Sequence, residues 1–263
     1  VVFNLKIADL ESAYLMGLIA GIGITLVYMF QQSYREFMLL FPYVYWFVSL
    51  TVTVIVSMFA LWRYWENLRS KLSQIWFSFT VGMFLFYIGI IMFTVFSFLN
   101  IPLASVSPVD AFWFSGYAAL LSGLYLYYQL LKPAITKRLR NIAIIIVLAL
   151  SVAVFTPLIF SVFESKKGPP TLAANLAYPA LDICIFSLAI YELLVFTIGG
   201  LQGNLAKAWL LMTMGVLLQV IGDMLLSISI LKGVYYVGHP LELPGNWGII
   251  FITLAFYTHI KYL

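Results

Sequence analysis

The chain has 263 residues, of which 63% are hydrophobic and only 9% charged, with a formal net charge of +4. A soluble domain normally carries about 25% charged residues, so a globule bathed in water is excluded and lipid must be the solvent for most of the surface. The positive charge is too sparse, and too little interleaved with aromatics, to make a nucleic-acid surface.

Eight apolar runs of membrane-crossing length follow one another at roughly 13–31, 37–62, 75–99, 109–131, 141–163, 173–199, 207–232 and 246–262. Ordinary loop chemistry separates them: Gln31, Gln32 and Ser33, then Arg69, Ser70 and Lys71, Pro102 and Pro108, Gly168 to Pro170, and Gly238 to Gly245. No alternation of period two marks a membrane β-barrel. The expectation is an all-α polytopic membrane protein, a bundle of about eight transmembrane helices forming one domain over residues 1–263. The opening segment, VVFNLKIADLES, begins with Val and is too polar for a signal-peptide core. It suits a short interfacial helix, with the start of the gene upstream.

Lys and Arg set the orientation. With eight spans, one side carries Lys6, Arg63, Arg69, Lys71, Lys132, Lys137, Arg138, Arg140, Lys207 and Lys261, against Arg35, Lys166, Lys167 and Lys232 on the other. By the positive-inside rule both termini are expected in the cytoplasm, and the net charge is a topology signal.

Two carboxylates interrupt the sixth and seventh runs. Asp182 and Asp223 each lie about nine residues from the outer end of a run, some 13 Å below the external surface at about 1.5 Å per residue. Intramembrane acids are expensive and point to function, and two close together can share a proton. Tyr178 lies one turn from Asp182, and Pro179 is expected to loosen the helix beside it. Gln219 and Ser227 lie one turn to either side of Asp223, and Gly222 allows close helix approach. These five polar residues, Asp182, Asp223, Tyr178, Gln219 and Ser227, are the candidates for ligand binding or proton relay. Structural hydrogen bonding between helices is the competing reading.

Secondary candidates are Glu192, His239, Glu242 and Trp247. Glu192 is expected near the cytoplasmic end, facing an interfacial Lys or Arg. Asp110 suits a helix cap. Tyr43, Tyr45, Trp46, Trp113, Tyr117, Tyr235, Tyr236 and Trp247 read mainly as an aromatic belt, with the roof of an apolar pocket as the alternative.

Several chemistries fail on their residues. An intramembrane aspartyl protease needs Tyr-Asp on one helix and Gly-x-Gly-Asp on the next. Here Leu181 precedes Asp182, Val220 stands where the first Gly belongs, and Pro179-Ala180-Leu181 comes before both acids. RYWENL is superficially rhodopsin-like, but the last run has a lysine only at its margin, Lys261. His239 and His259 lie at opposite faces and cannot clamp one haem. His239 with Glu242 is more simply a solvated pair than a metal site. The single cysteine, Cys184, rules out an internal disulfide framework. No metal site and no cofactor is identified.

The last third nevertheless resembles a known type of module. Tyr178, Pro179 and Asp182, then Trp209, Gly215 and Asp223, then Tyr236, Gly238, Pro240, Leu241, Trp247, Tyr257 and His259 fall in the order found in multi-span membrane sensor modules. Such modules open many archaeal and bacterial signalling proteins of histidine kinase or diguanylate cyclase type. The resemblance covers about residues 171–263, and Glu242 stands where the loop usually has Asp. It implies a sensory module binding a small ligand or lipid, with a cytoplasmic output domain attached beyond the inner C-terminus. The 263 residues hold no such domain, so either the chain continues past Leu263 or it is a stand-alone relative. The function expected is a non-enzymatic, membrane-embedded sensory or ligand-binding module with an acidic site in the outer half of the membrane. The alternatives are a non-catalytic subunit of a larger membrane complex, such as a respiratory assembly, and a proton-coupled transporter.

Overall fold

The structure, a computed structural model, describes residues 9–64, 69–101, 106–164, 169–198 and 203–262. Lys6, Pro102, Lys166, Lys167, Gly168 and Leu263, and with them most of the proposed interfacial segment, lie outside the described residues. Those described form nine α-helices joined by short 3-10 turns, with no strand among them. In chain order they are α1 (Leu10–Met29), α2 (Arg35–Met38), α3 (Phe41–Trp62), α4 (Lys71–Phe98), α5 (Pro108–Leu131), α6 (Lys137–Glu164), α7 (Pro169–Thr197), α8 (Asn204–Leu231) and α9 (Leu243–Tyr262). All but the four-residue α2 coincide with the apolar runs to within a few residues. The main change is at α3, which begins at Phe41 because Pro42 sits in its first turn, where a missing N–H costs nothing. Pro179 does not end α7, which runs continuously through it.

Six helices are long and apolar enough to cross a membrane: α1, α3, α4, and the segments Lys137–Pro157, Leu176–Thr197 and Ala206–Ile230 of α6, α7 and α8. The long helices outside that set are α5 and α9. Both are rich in Tyr, Trp, Gly and amide or charged side chains, and both supply polar groups to the interior.

Outward faces are hydrocarbon. Leu15, Ile19 and Ile22 of α1, Val48, Val52 and Ile55 of α3, and Ile145, Leu148 and Val152 of α6 are all exposed. In water such a surface would aggregate; in lipid it is the ordinary outside of a helix bundle. A multi-pass helical membrane protein follows.

Two seams hold the centre. At Gly215 on α8 a Cβ would stand 2.9 Å from the Gly248 carbonyl, and at Gly248 on α9 one would stand 2.7 Å from the Gly215 carbonyl. Only hydrogen fits between these backbones, so α8 and α9 make the most extensive helix pair. Gly82 on α4 and Gly116 on α5 meet in the same way, as small residues do where lipid gives helices no hydrophobic reason to associate. Around these seams α3, α4, α5, α7, α8 and α9 enclose the core, with α6 against α7 and α8 and α1 against α9.

Candidate functional site

At the end of the bundle where α3, α5, α7 and α9 begin and α4 and α8 finish, those six helices do not close on one another. They leave a cavity of about 450 Å³, within the range of small-molecule sites. Most of the wall is apolar or aromatic: Trp46 and Leu50 from α3, Met83, Phe86, Ile90 and Phe93 from α4, Trp113 from α5, and Val216, Val220 and Ile249 from α8 and α9. Asp182, Asp223, Tyr117, Tyr178, Gln219, Ser227, Glu242 and Asn246 are its polar lining.

Asp182 and Asp223 are brought together, joined by a residue that the sequence pattern assigned to the aromatic belt. The Tyr117 hydroxyl stands 2.8 Å from Asp182 Oδ1 and 3.1 Å from Asp223 Oδ2. Tyr117 lies about eight residues into the apolar run 109–131, close to the count of about nine that pairs the two aspartates in depth, and that similar depth was the signal available in the sequence. Edge-on contact with the ring of Phe86, with centroids 5.3 Å apart, holds the phenol in place. A phenol has one proton to donate. If it donates to one carboxylate, the other contact is a hydrogen bond only when that second carboxyl group donates to the phenol oxygen. The trio Asp182–Tyr117–Asp223 therefore has room for one extra proton and a geometry that moves it between the acids.

The remaining acceptors are unequally served. Gln219 Nε2 donates to Asp223 Oδ1 over 3.3 Å. Asp182 is fully buried, and its Oδ2 has no hydrogen-bond partner among the described residues. Across the cavity Asn246 is also buried, with Nδ2 unpartnered. Its orientation is fixed because the Trp46 indole, a donor only, gives its proton to Asn246 Oδ1 at 3.0 Å. The cavity thus contains one orphan acceptor and one orphan donor, which native interiors rarely tolerate. Among the described residues no Lys, Arg or His is ion-paired with either aspartate.

Other expectations are corrected in detail. Tyr178 lines the cavity, but its hydroxyl donates to Asp110 Oδ1, not to Asp182. Asp110 caps α5 as expected, its Oδ2 accepting from Ser107 N at 2.7 Å, and it also ties α5 to α7. Ser227 lines the cavity without a hydrogen bond to Asp223 among the described residues. Trp247 points away from the cavity: its indole donates to Thr25 of α1 over 3.0 Å and lies against Gly21, where any Cβ would overlap the ring.

Glu242 is a buried knot. Tyr28 donates to Oε2 at 2.7 Å, while Tyr235 and the Gly238 amide donate to Oε1 at 3.0 and 2.8 Å. Burial pushes its carboxyl above the ordinary range, and these hydrogen bonds pull it part of the way back. With its oxygens engaged, Glu242 anchors the α8–α9 connection to α1. His239 Nδ1 accepts from the Leu241 amide at 3.2 Å. No group of three metal-ligating side chains exists among the described residues.

Glu192 does not meet a basic residue. It is buried on α7, where Oε2 accepts from Thr213 at 3.1 Å and Oε1 is unpartnered among the described residues. Lys207, earlier on α8, is exposed instead. Further in, His259 is sealed among aromatics, stacked 3.9 Å from Trp76 with Nε2 2.6 Å from the Tyr64 hydroxyl.

No family model matches the chain, and neither a curated protein nor a solved structure matches it. What stands is the class: a multi-pass helical membrane protein.

Proposed function

We propose that this protein is a ligand-binding membrane module of a prokaryotic plasma membrane. It crosses the bilayer eight times with both termini in the cytoplasm, and the cavity around Asp182 and Asp223 opens toward the external half. The single observation that carries this reading is Asp182: a fully buried carboxylate with one oxygen unserved among the described residues, in a preformed cavity of about 450 Å³. Structural hydrogen bonding alone does not call for that space. The resemblance of residues 171–263 to sensor modules supports a signalling use, in which occupancy biases the packing of α7, α8 and α9. A ligand achieves this only through different affinity for two packings.

The test is a cavity-filling variant, Ile249→Phe. Small amphiphiles should raise the melting temperature of the wild-type protein in mild detergent, as any ligand selective for the native state does, and should fail to do so in the variant. Equal stabilisation of both proteins overturns the reading.

A proton-coupled carrier is the second reading, favoured by the two carboxylates meeting on one hydroxyl. Proteoliposomes separate the two. A sensor leaves an imposed pH gradient intact when ligand is added, whereas a carrier dissipates it.

A further inference from the structure

The chemistry of the cavity narrows its occupant. Beside the trio, the titratable groups lining it are Tyr178 on α7, whose hydroxyl donates to Asp110 behind it, and Tyr235 and Glu242 at the α8–α9 connection. Among the described residues the lining contains no Lys, Arg or His. Asp110 and Glu242 already accept several hydrogen bonds each, which leaves Asp182 Oδ2 as the unserved anionic acceptor. The wall includes the aromatic residues Trp46, Trp113, Phe86 and Tyr178, a residue type whose ring faces attract cations. A bare metal ion fits poorly. Hard cations take about six or more oxygens, and the space is far larger than an ion and mostly hydrocarbon-lined.

Resting on the ligand-binding reading above, we infer that the site takes a lipophilic primary or secondary amine, whose ammonium group replaces the proton shared by Asp182, Tyr117 and Asp223. The exchange balances. The protonated carboxyl of the pair and the incoming ammonium ion give a carboxylate paired with bound ammonium, and one proton leaves to the external water. No covalent bond to carbon forms or breaks. The ammonium donates to Asp182 Oδ2 and to Asp223, the amine's hydrocarbon body fills the apolar space, and the Asn246 amide remains free to donate to any oxygen the body carries.

The experiment uses the full chain in detergent with three probes of one shape: adamantylamine, neutral adamantanol and adamantyl trimethylammonium, which is cationic but has no N–H. Calorimetry should show the primary amine binding at least about tenfold tighter than either analogue, the scale of a hydrogen bond to a charged group. Between pH about 6 and about 8 the amine stays charged, so any pH dependence comes from the protein. Affinity should rise with pH, approaching about tenfold per unit where one proton is released per amine bound. Asp182→Asn should bring the amine down to the level of the alcohol. Tyr117→Phe, a second variant that leaves both carboxylates in place, should keep both the amine preference and its pH dependence, because two close carboxylates still share a proton without the phenol.

If the alcohol binds as tightly as the amine, the cation inference falls while the binding cavity stands. Amine binding that is preferred but independent of pH overturns the proton exchange. If none of the three probes binds, both this inference and the ligand-binding reading fall.

Discussion

The two ends of the same six helices solve the problem of polar groups in lipid in opposite ways. At the cavity end, Asp182, Tyr117 and Asp223 share one hydrogen-bonded trio that borders open space. At the other end aromatic rings pack closely: Trp76 stacks on His259 at 3.9 Å and lies tilted against Trp209 at 4.7 Å, while Tyr127 stacks on Trp209 at 3.7 Å. There Glu192 and His259 each have a single hydroxyl partner, Thr213 and Tyr64. The cavity thus sits against a base of closely packed rings.

That contrast can be broken most sharply at Trp76, which is fully buried among aromatic neighbours. Trp76→Ala should cost about 3–5 kcal/mol, measured as loss of reversible thermal unfolding in detergent. A small effect would show that the aromatic end is not the solid base. Phe86→Ala, on the wall of an existing cavity and only half-buried, should cost about 1–2 kcal/mol, because less close packing is lost there than in a filled core. Equal losses for the two variants would erase the distinction. Smallest of the three is Glu192→Gln. The amide oxygen keeps the Thr213 contact and removes a carboxylate that lacks a full set of donors, so stability should change by no more than about 1 kcal/mol and in the favourable direction. A clear destabilisation would mean Glu192 belongs to a larger polar network.

Hydropathy alone located the long helices, because in lipid the length of an apolar run is dictated by membrane thickness. It also placed Asp182 and Asp223 at one depth, since rise per residue converts position into depth. Tyr117 escaped because a tyrosine near a helix end satisfies the aromatic-belt rule equally well, and only rotation about α5 decides between the two. Rotation depends on the Gly82–Gly116 seam, which is a tertiary fact. Asn246 was missed for the same reason: its neighbour Trp46 is 200 residues away in sequence. Glu192 was expected to find a basic partner by proximity to the inner surface. Instead the face of α8 turned toward it carries Thr213, while Lys207 faces outward.

The docking of α1 has a further consequence, in time rather than space. Beyond the Tyr34 hydroxyl, which donates to the Val27 carbonyl over 3.2 Å, its described contacts Tyr14 to Thr258, Tyr28 to Glu242 and Thr25 with Trp247 reach α9 or the turn before it. The ribosome completes α1 long before Leu243 is made. At about 5–20 residues per second, the interval from Met29 to Leu243 is roughly 10 to 40 seconds. Throughout it Tyr14, Thr25 and Tyr28 sit in lipid without their eventual partners, so α1 must wait in the membrane, or against the insertion machinery, until the last helix arrives to claim it.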